Sequence, residues 1–155
     1  MTATAPEKLY LDDLVPGARY VSAGHALDAA QIKTYAGDFD PQYFHLDEAA
    51  AQGSLFGGLA ASGWHTAAIT MRLLVTSGLP LAGGLIGAGV ELSWPQPTRP
   101  DDVLHVESEI LSVTPSRSRP DRGMVAVRSE TKNQRGEVRQ VMVAKMVVPR
   151  RIVCD

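Results

Sequence analysis

Ser62-Gly63-Trp64-His65-Thr66-Ala67-Ala68-Ile69-Thr70-Met71-Arg72-Leu73-Leu74-Val75 is the segment around which the other elements have to be arranged. Ser62 is a good N-cap, because its hydroxyl can accept from an amide that the first helical turn leaves unpaired. Trp64, Ala67, Ala68, Met71, Leu74 and Val75 then recur at helical spacing, and Ile69 and Leu73 fall on the other side. A helix apolar around so much of its circumference is expected to be enclosed rather than laid on a surface. Gly78 and Pro80 stop it.

Everything downstream reads as strand. Residues 85–94, 103–113, 123–132 and 138–148 are apolar-rich runs separated by the turn clusters 95–102, 115–122 and 133–136. The second run alternates over much of its length, with Leu104, Val106 and Ile110 on one face and His105, Glu107 and Glu109 on the other. Short turns between such runs imply an antiparallel sheet. One long helix with about four long antiparallel strands gives an α+β fold, and its economical packing wraps the curved sheet around the helix, the hot-dog arrangement.

Upstream of the helix the elements are shorter. Residues 1–18 read as an irregular arm ending in the turn Val15-Pro16-Gly17, followed by an extended run from Arg19 to Ala26. Asp28 caps a helix through Ala29, Ile32 and Tyr35, whose end is bracketed by Gly37 and Pro41. Asp47 opens a second short helix over 48–52, closed by Gly53.

Composition bounds what this chain is expected to do. Its 155 residues suit one domain spanning 1–155, with no repeat, low-complexity tract or long linker. The hydrophobic fraction is 45%, the charged fraction 21% and the formal net charge −2. That balance gives no electrostatic reason to expect nucleic acid or an anionic membrane as partner. The polar first nine residues lack the apolar core of a signal peptide, and the longest apolar stretches are too short and too broken to span a bilayer. A cytoplasmic setting is the expectation. The single cysteine, Cys154, excludes an internal disulfide and a cysteine-based zinc cluster.

Two segments carry a resemblance. The first is Gly37-Asp38-Phe39-Asp40-Pro41-Gln42-Tyr43-Phe44-His45-Leu46-Asp47, continuing to Phe56-Gly57-Gly58-Leu59-Ala60-Ala61-Ser62-Gly63-Trp64-His65. The second runs from Gly89-Val90-Glu91-Leu92-Ser93-Trp94 through Pro95-Gln96-Pro97-Thr98-Arg99-Pro100-Asp101-Asp102. With the opening Asp12-Asp13-Leu14-Val15-Pro16-Gly17, they resemble the MaoC-like dehydratases, whose best-known members are (R)-specific enoyl-CoA hydratases. The hydratase motif of that family runs Asp, any residue, Asn, Pro, any residue, His. Placing Asp40 on its Asp puts His45 on its His, with Gln42 and Tyr43 in place of Asn and Pro. Placing Asp38 there instead matches Pro41 but leaves His45 two residues late. The first placement keeps the separation between the two chemical groups.

The resemblance implies a hydratase or dehydratase acting on a 2-enoyl or 3-hydroxyacyl thioester. The substrate would be an acyl-CoA or an acyl-carrier thioester, with coenzyme A as part of the substrate and no separate cofactor. Asp40 and His45 are the expected catalytic pair, holding and activating one water. Ser62, Gly63 and Trp64 at the helix start are the expected oxyanion and substrate-binding group, since unpaired first-turn amides favour negative charge there. Asp38 and His65 are further candidates. Each feature also has a purely structural account: Asp-Pro is common turn chemistry, the glycines permit a tight approach to a buried helix, and a first-turn histidine often serves only as a hydrogen bonder. No His, Asp and Glu cluster with metal-ligand spacing is apparent. Arg117, Arg119 and Arg122 crowd one turn, as a solvated hairpin tip or as partners for phosphates. Two alternatives stay open, a hot-dog acyl-CoA thioesterase and a non-catalytic acyl-thioester-binding subunit. The resemblance further implies a homodimer or higher homo-oligomer.

Overall fold

Period-two burial is what joins the long apolar runs into one sheet. The computed structural model describes residues 6–152. It contains the short strands β1 (Arg19–Val21) and β2 (His25–Ala26), then the long strands β3 (Ile86–Ser93), β4 (Val103–Pro115), β5 (Arg122–Lys132) and β6 (Val138–Pro149). Every pairing between them is antiparallel, in the order β1-β4-β5-β6-β3, with β2 also held on β4. On β4 the inward residues are Leu104, Val106, Ser108 and Ile110, and on β5 they include Val125, Val127, Ser129 and Thr131. Met142, Ala144, Met146 and Val148 continue that face on β6.

Four α-helices are present among the described residues, α1 (Ala29–Phe39), α2 (Tyr43–Leu46), α3 (Glu48–Ala51) and α4 (Gly63–Leu73), the last extended by a π-helical turn over Leu74–Gly78. Three expected caps are in place. Asp28 accepts from the Gln31 amide at 2.8 Å, Asp47 from Ala50 at 3.0 Å and Ser62 from Trp64 at 3.3 Å. The sheet curves over α4, and Ile32 of α1 with Leu73, Leu74, Leu104, Val106 and Val127 belongs to the same hydrophobic core. This is the hot-dog arrangement. Each fully buried Leu, Ile or Val contributes about 1.5–3 kcal/mol to holding the helix there.

The expectation of an enclosed α4 is corrected. Its inward face carries Thr66, Ile69, Thr70 and Leu73, whereas Trp64, Met71 and Val75 are exposed. Threonines can turn inward because their hydroxyls find partners. The Thr70 hydroxyl lies 2.6 Å from that of Thr131 and accepts from the Gln140 amide at 3.1 Å, and the Thr66 and Thr98 hydroxyls are 2.9 Å apart. The helix therefore leaves an apolar stripe beside β3, where Val90 is also exposed.

Two further differences concern the shorter elements. The run from Arg19 to Ala26 is split, because the Ser22 side chain accepts from the Val106 amide at 2.8 Å and interrupts the ladder on β4. The segment after Pro41 contains the extra one-turn helix α2, while α1 continues through Gly37 to Phe39. Among the described residues no helix is long and apolar enough to cross a membrane. Cys154 lies outside the described residues.

Candidate active site

Asp40 and His45 reach one another because two helix ends abut. Asp40 is the C-cap of α1, and the chain turns through Pro41 so that His45 arrives on the single turn of α2. His45 Nε2 then lies 3.3 Å from Asp40 Oδ2. On its other side, His45 Nδ1 is 2.6 Å from the Ala60 carbonyl. A carbonyl only accepts, so Nδ1 carries a proton, and Nε2 is the ring nitrogen that faces Asp40. The imidazole is 4% exposed, which fixes its orientation tightly.

Asp40 is held by its own neighbours. The Gln42 side-chain amide donates to Oδ1 at 2.7 Å. Burial works to raise the Asp40 pKa, but the Ser62 hydroxyl, the Gln42 amide and the His45 charge outweigh it and keep the carboxyl below its ordinary range. It is therefore ionised at neutral pH.

Both groups open onto a cavity of about 340 Å³ that also contains Ser62, Gly63 and Trp64 at the start of α4. The candidate pair and the candidate oxyanion group are thus brought together. Ser62 Oγ occupies the Trp64 amide, which leaves the Gly63 amide as the better placed donor at this helix end. Gly63 does permit a close approach, but what approaches is the Trp94 indole. A Cβ at position 63 would lie 2.7 Å from Trp94 Cε2. Trp94 is anchored in turn by its Nε1, which donates to Gln140 at 2.9 Å.

Asp38 and His65 are elsewhere. Both border a separate open groove between α1 and α4 together with His25 and Tyr35. His65 stacks on Tyr35 with ring centroids 4.4 Å apart, and its buried Nδ1 has no hydrogen-bond partner among the described residues. Burial first, then the charges of His25 and His45, push its pKa down to about 4. His65 is a neutral packing group at this position. The arginines of the 115–122 turn do not border the 340 Å³ cavity, and Arg122 pairs with the adjacent Asp121 at 2.8 Å. Among the described residues no three His, Cys, Asp or Glu side chains gather as a metal site.

A family model described as MaoC like domain matches residues 15–134. The chain belongs to this family. It is 68% identical to the MaoC-like dehydratase of Rhodospirillum rubrum, over 94% of this chain and 99% of that one, with a TM-score of 0.92. YdeM of Bacillus subtilis (strain 168), an uncharacterized protein, is 34% identical over 128 residues, 81% of this chain and 88% of its own length. The R-hydratase PhaJ1 of Pseudomonas aeruginosa shares the fold at a TM-score of 0.74 and 24% identity, over 96% of this chain and 93% of that one.

In this MaoC-like chain several cavity residues were not singled out by sequence reasoning. Phe44 and Phe56 pack around the His45 ring, at 4.6 and 5.9 Å between centroids. Trp94 covers the α4 N-terminus and Thr98 lies at the cavity floor. Phe44 and Phe56 stand in the first of the two family-like segments and Trp94 and Thr98 in the second, which was the signal available for them. Nothing in the spacing of Phe44 and Phe56 separates them from ordinary core residues.

Proposed function

We propose that this MaoC-like protein is a hydratase or dehydratase that adds water to, or removes it from, an acyl thioester of the 2-enoyl and 3-hydroxyacyl type. The observation that carries the reading is the 3.3 Å approach of His45 Nε2 to Asp40 Oδ2 at the wall of a cavity. At this distance the two groups touch each other directly, and a water held beside them in the cavity can donate a hydrogen to the Asp40 carboxylate while its oxygen lone pair stays free to attack.

The chemistry follows from that water. Its oxygen bonds to C3 of the enoyl group while one proton passes to the Asp40–His45 pair. The C2=C3 electrons move toward the thioester carbonyl, giving an enolate. The pair then returns a proton to C2, so that one water has been added across the double bond. Charge on the enolate oxygen is favoured near the Gly63 amide, at the positive end of α4. Dehydration runs the same steps backwards.

A separate apolar groove of about 440 Å³ lies along α4, bordered by Ala67, Met71, Leu92 and Met146. It suits the acyl chain, and the polar carrier portion, coenzyme A or an acyl carrier, would remain at the mouth. We also assign the exposed stripe of Trp64, Met71, Val75 and Val90 to contact with a second copy. Large apolar side chains on one helix and the adjacent edge strand are what association covers.

The test is an assay on purified protein with short trans-2-enoyl-CoA, following conjugated absorbance and free thiol together. Falling absorbance with no thiol is the expected result. Thiol release would make the protein a thioesterase, and neither signal over several chain lengths, with acyl-CoA still bound, would leave a binding subunit.

A further inference from the structure

The loop from Phe56 to Ala61 is what places the acceptor for His45, and one side chain outside it holds it in shape. Arg99, in the turn between β3 and β4, donates through Nη1 to the Gly58 carbonyl at 3.1 Å and to the Leu59 carbonyl at 3.2 Å. Its Nη2 donates to the Phe56 carbonyl. Among the described residues no carboxylate pairs with this guanidinium, and its three side-chain hydrogen bonds all go to that one loop. The loop can turn its carbonyls toward a single point because Gly57 adopts φ +64°, a conformation that other residues rarely hold.

The carbonyl that follows those three is Ala60, the acceptor for His45 Nδ1. The same turn also anchors the loop beyond it, since the Ala61 amide donates to the Thr98 carbonyl at 2.9 Å. Arg99 itself is fixed from behind. Its amide donates to Asp102 Oδ2 at 2.9 Å, and Asp102 is locked in a buried ion pair with Arg139 at 3.0 Å.

We propose that Arg99 is a positioning residue. By gathering the Phe56, Gly58 and Leu59 carbonyls it aims the Ala60 carbonyl at His45 Nδ1, and so sets which ring nitrogen is free to face Asp40. A fork of five N–H groups can span three carbonyls, whereas an ammonium holds a single point charge at the end of a flexible stem. The catalytic arm of this inference rests on the hydratase reading given above; the positioning itself does not.

The experiment uses Arg99→Ala and Arg99→Lys, with Val148→Ala as a core variant remote from the loop. In wild type, the Nδ1 proton of His45 gives a downfield, slowly exchanging resonance in proton–nitrogen NMR, assigned by its absence in His45→Gln. Arg99→Ala is expected to lose that resonance at neutral pH and Arg99→Lys to weaken it, while Val148→Ala keeps it at comparable thermal destabilisation. On an enoyl thioester, kcat falls roughly 10- to 100-fold in Arg99→Ala with KM within about twofold, since a small misplacement of a reacting group costs that much. Should Arg99→Ala not fold, Arg99→Lys and Arg99→Gln carry the same readouts. A retained resonance with wild-type exchange in those variants overturns the proposal. If wild type shows no turnover, the hydratase reading fails, and the resonance alone still decides the role of Arg99.

Discussion

His65 and Asp40 show how different two neighbouring ionisable groups can be. Asp40 is compensated by the Ser62 hydroxyl, the Gln42 amide and the His45 charge, and stays ionised. His65 has a buried Nδ1 without a partner among the described residues and a pKa of about 4. Between its ordinary value of 6.5 and about 4, the unfolded chain takes up a proton at His65 that the folded chain refuses. Stability therefore drops as pH falls through that window, by on the order of 2 kcal/mol once solvent relaxation is allowed for. His65→Phe keeps a ring against Tyr35 and removes the titration. Urea unfolding at pH 7 and pH 4.5 should show a smaller acid loss in this variant than in wild type. Equal losses would mean that His65 is protonated in the folded protein without difficulty.

At the scale of elements, the approach of Trp94 to the start of α4 is the tightest constraint on the cavity. Gly63→Ala puts a Cβ against the indole, which is held by Gln140, so either the ring or the helix end must shift. The expected cost is about 1–3 kcal/mol, measured by thermal or urea unfolding. Much of this architecture was legible in the sequence. Alternation at Leu104, Val106 and Ile110 marked the inner face of β4, and Asp28, Asp47 and Ser62 were readable as caps because capping is local chemistry. Asp40 and His45 were proposed from their spacing against a family motif, Ser62 and Gly63 from their place at a helix start, and the fold gathers all four at one cavity. What escaped depended on distant partners. The inward turn of Thr66 and Thr70 requires Thr98, Thr131 and Gln140, none of them near in sequence. Arg99 acts on carbonyls about forty positions earlier in the chain, a relation no periodicity encodes. Asp38 and His65 lay close to the pair in sequence, yet helical geometry turned both onto the other groove.

At the scale of the whole molecule, the β3 edge exposes apolar side chains: β3 pairs only with β6 within the sheet, and its Val90 lies beside the stripe that Trp64 and Met71 of α4 form with Val75 just beyond the helix. Wild-type protein should therefore run as a dimer or larger assembly by light scattering. Val90→Lys, which sets a charge in the stripe, should shift it toward monomer without unfolding it. The same fold brings α1, α2, the 56–61 loop and α4 to one cavity, and its purpose on this account is to hold a single water against the Asp40–His45 pair. The most direct measurement is kcat on a short trans-2-enoyl-CoA for wild type, Asp40→Asn and His45→Ala, with circular dichroism on each. The account predicts that absorbance falls with wild type and that each variant, still folded, loses roughly 10²- to 10⁴-fold in rate, the scale of a positioned acid–base group. A folded Asp40→Asn or His45→Ala that hydrates at the wild-type rate would contradict it.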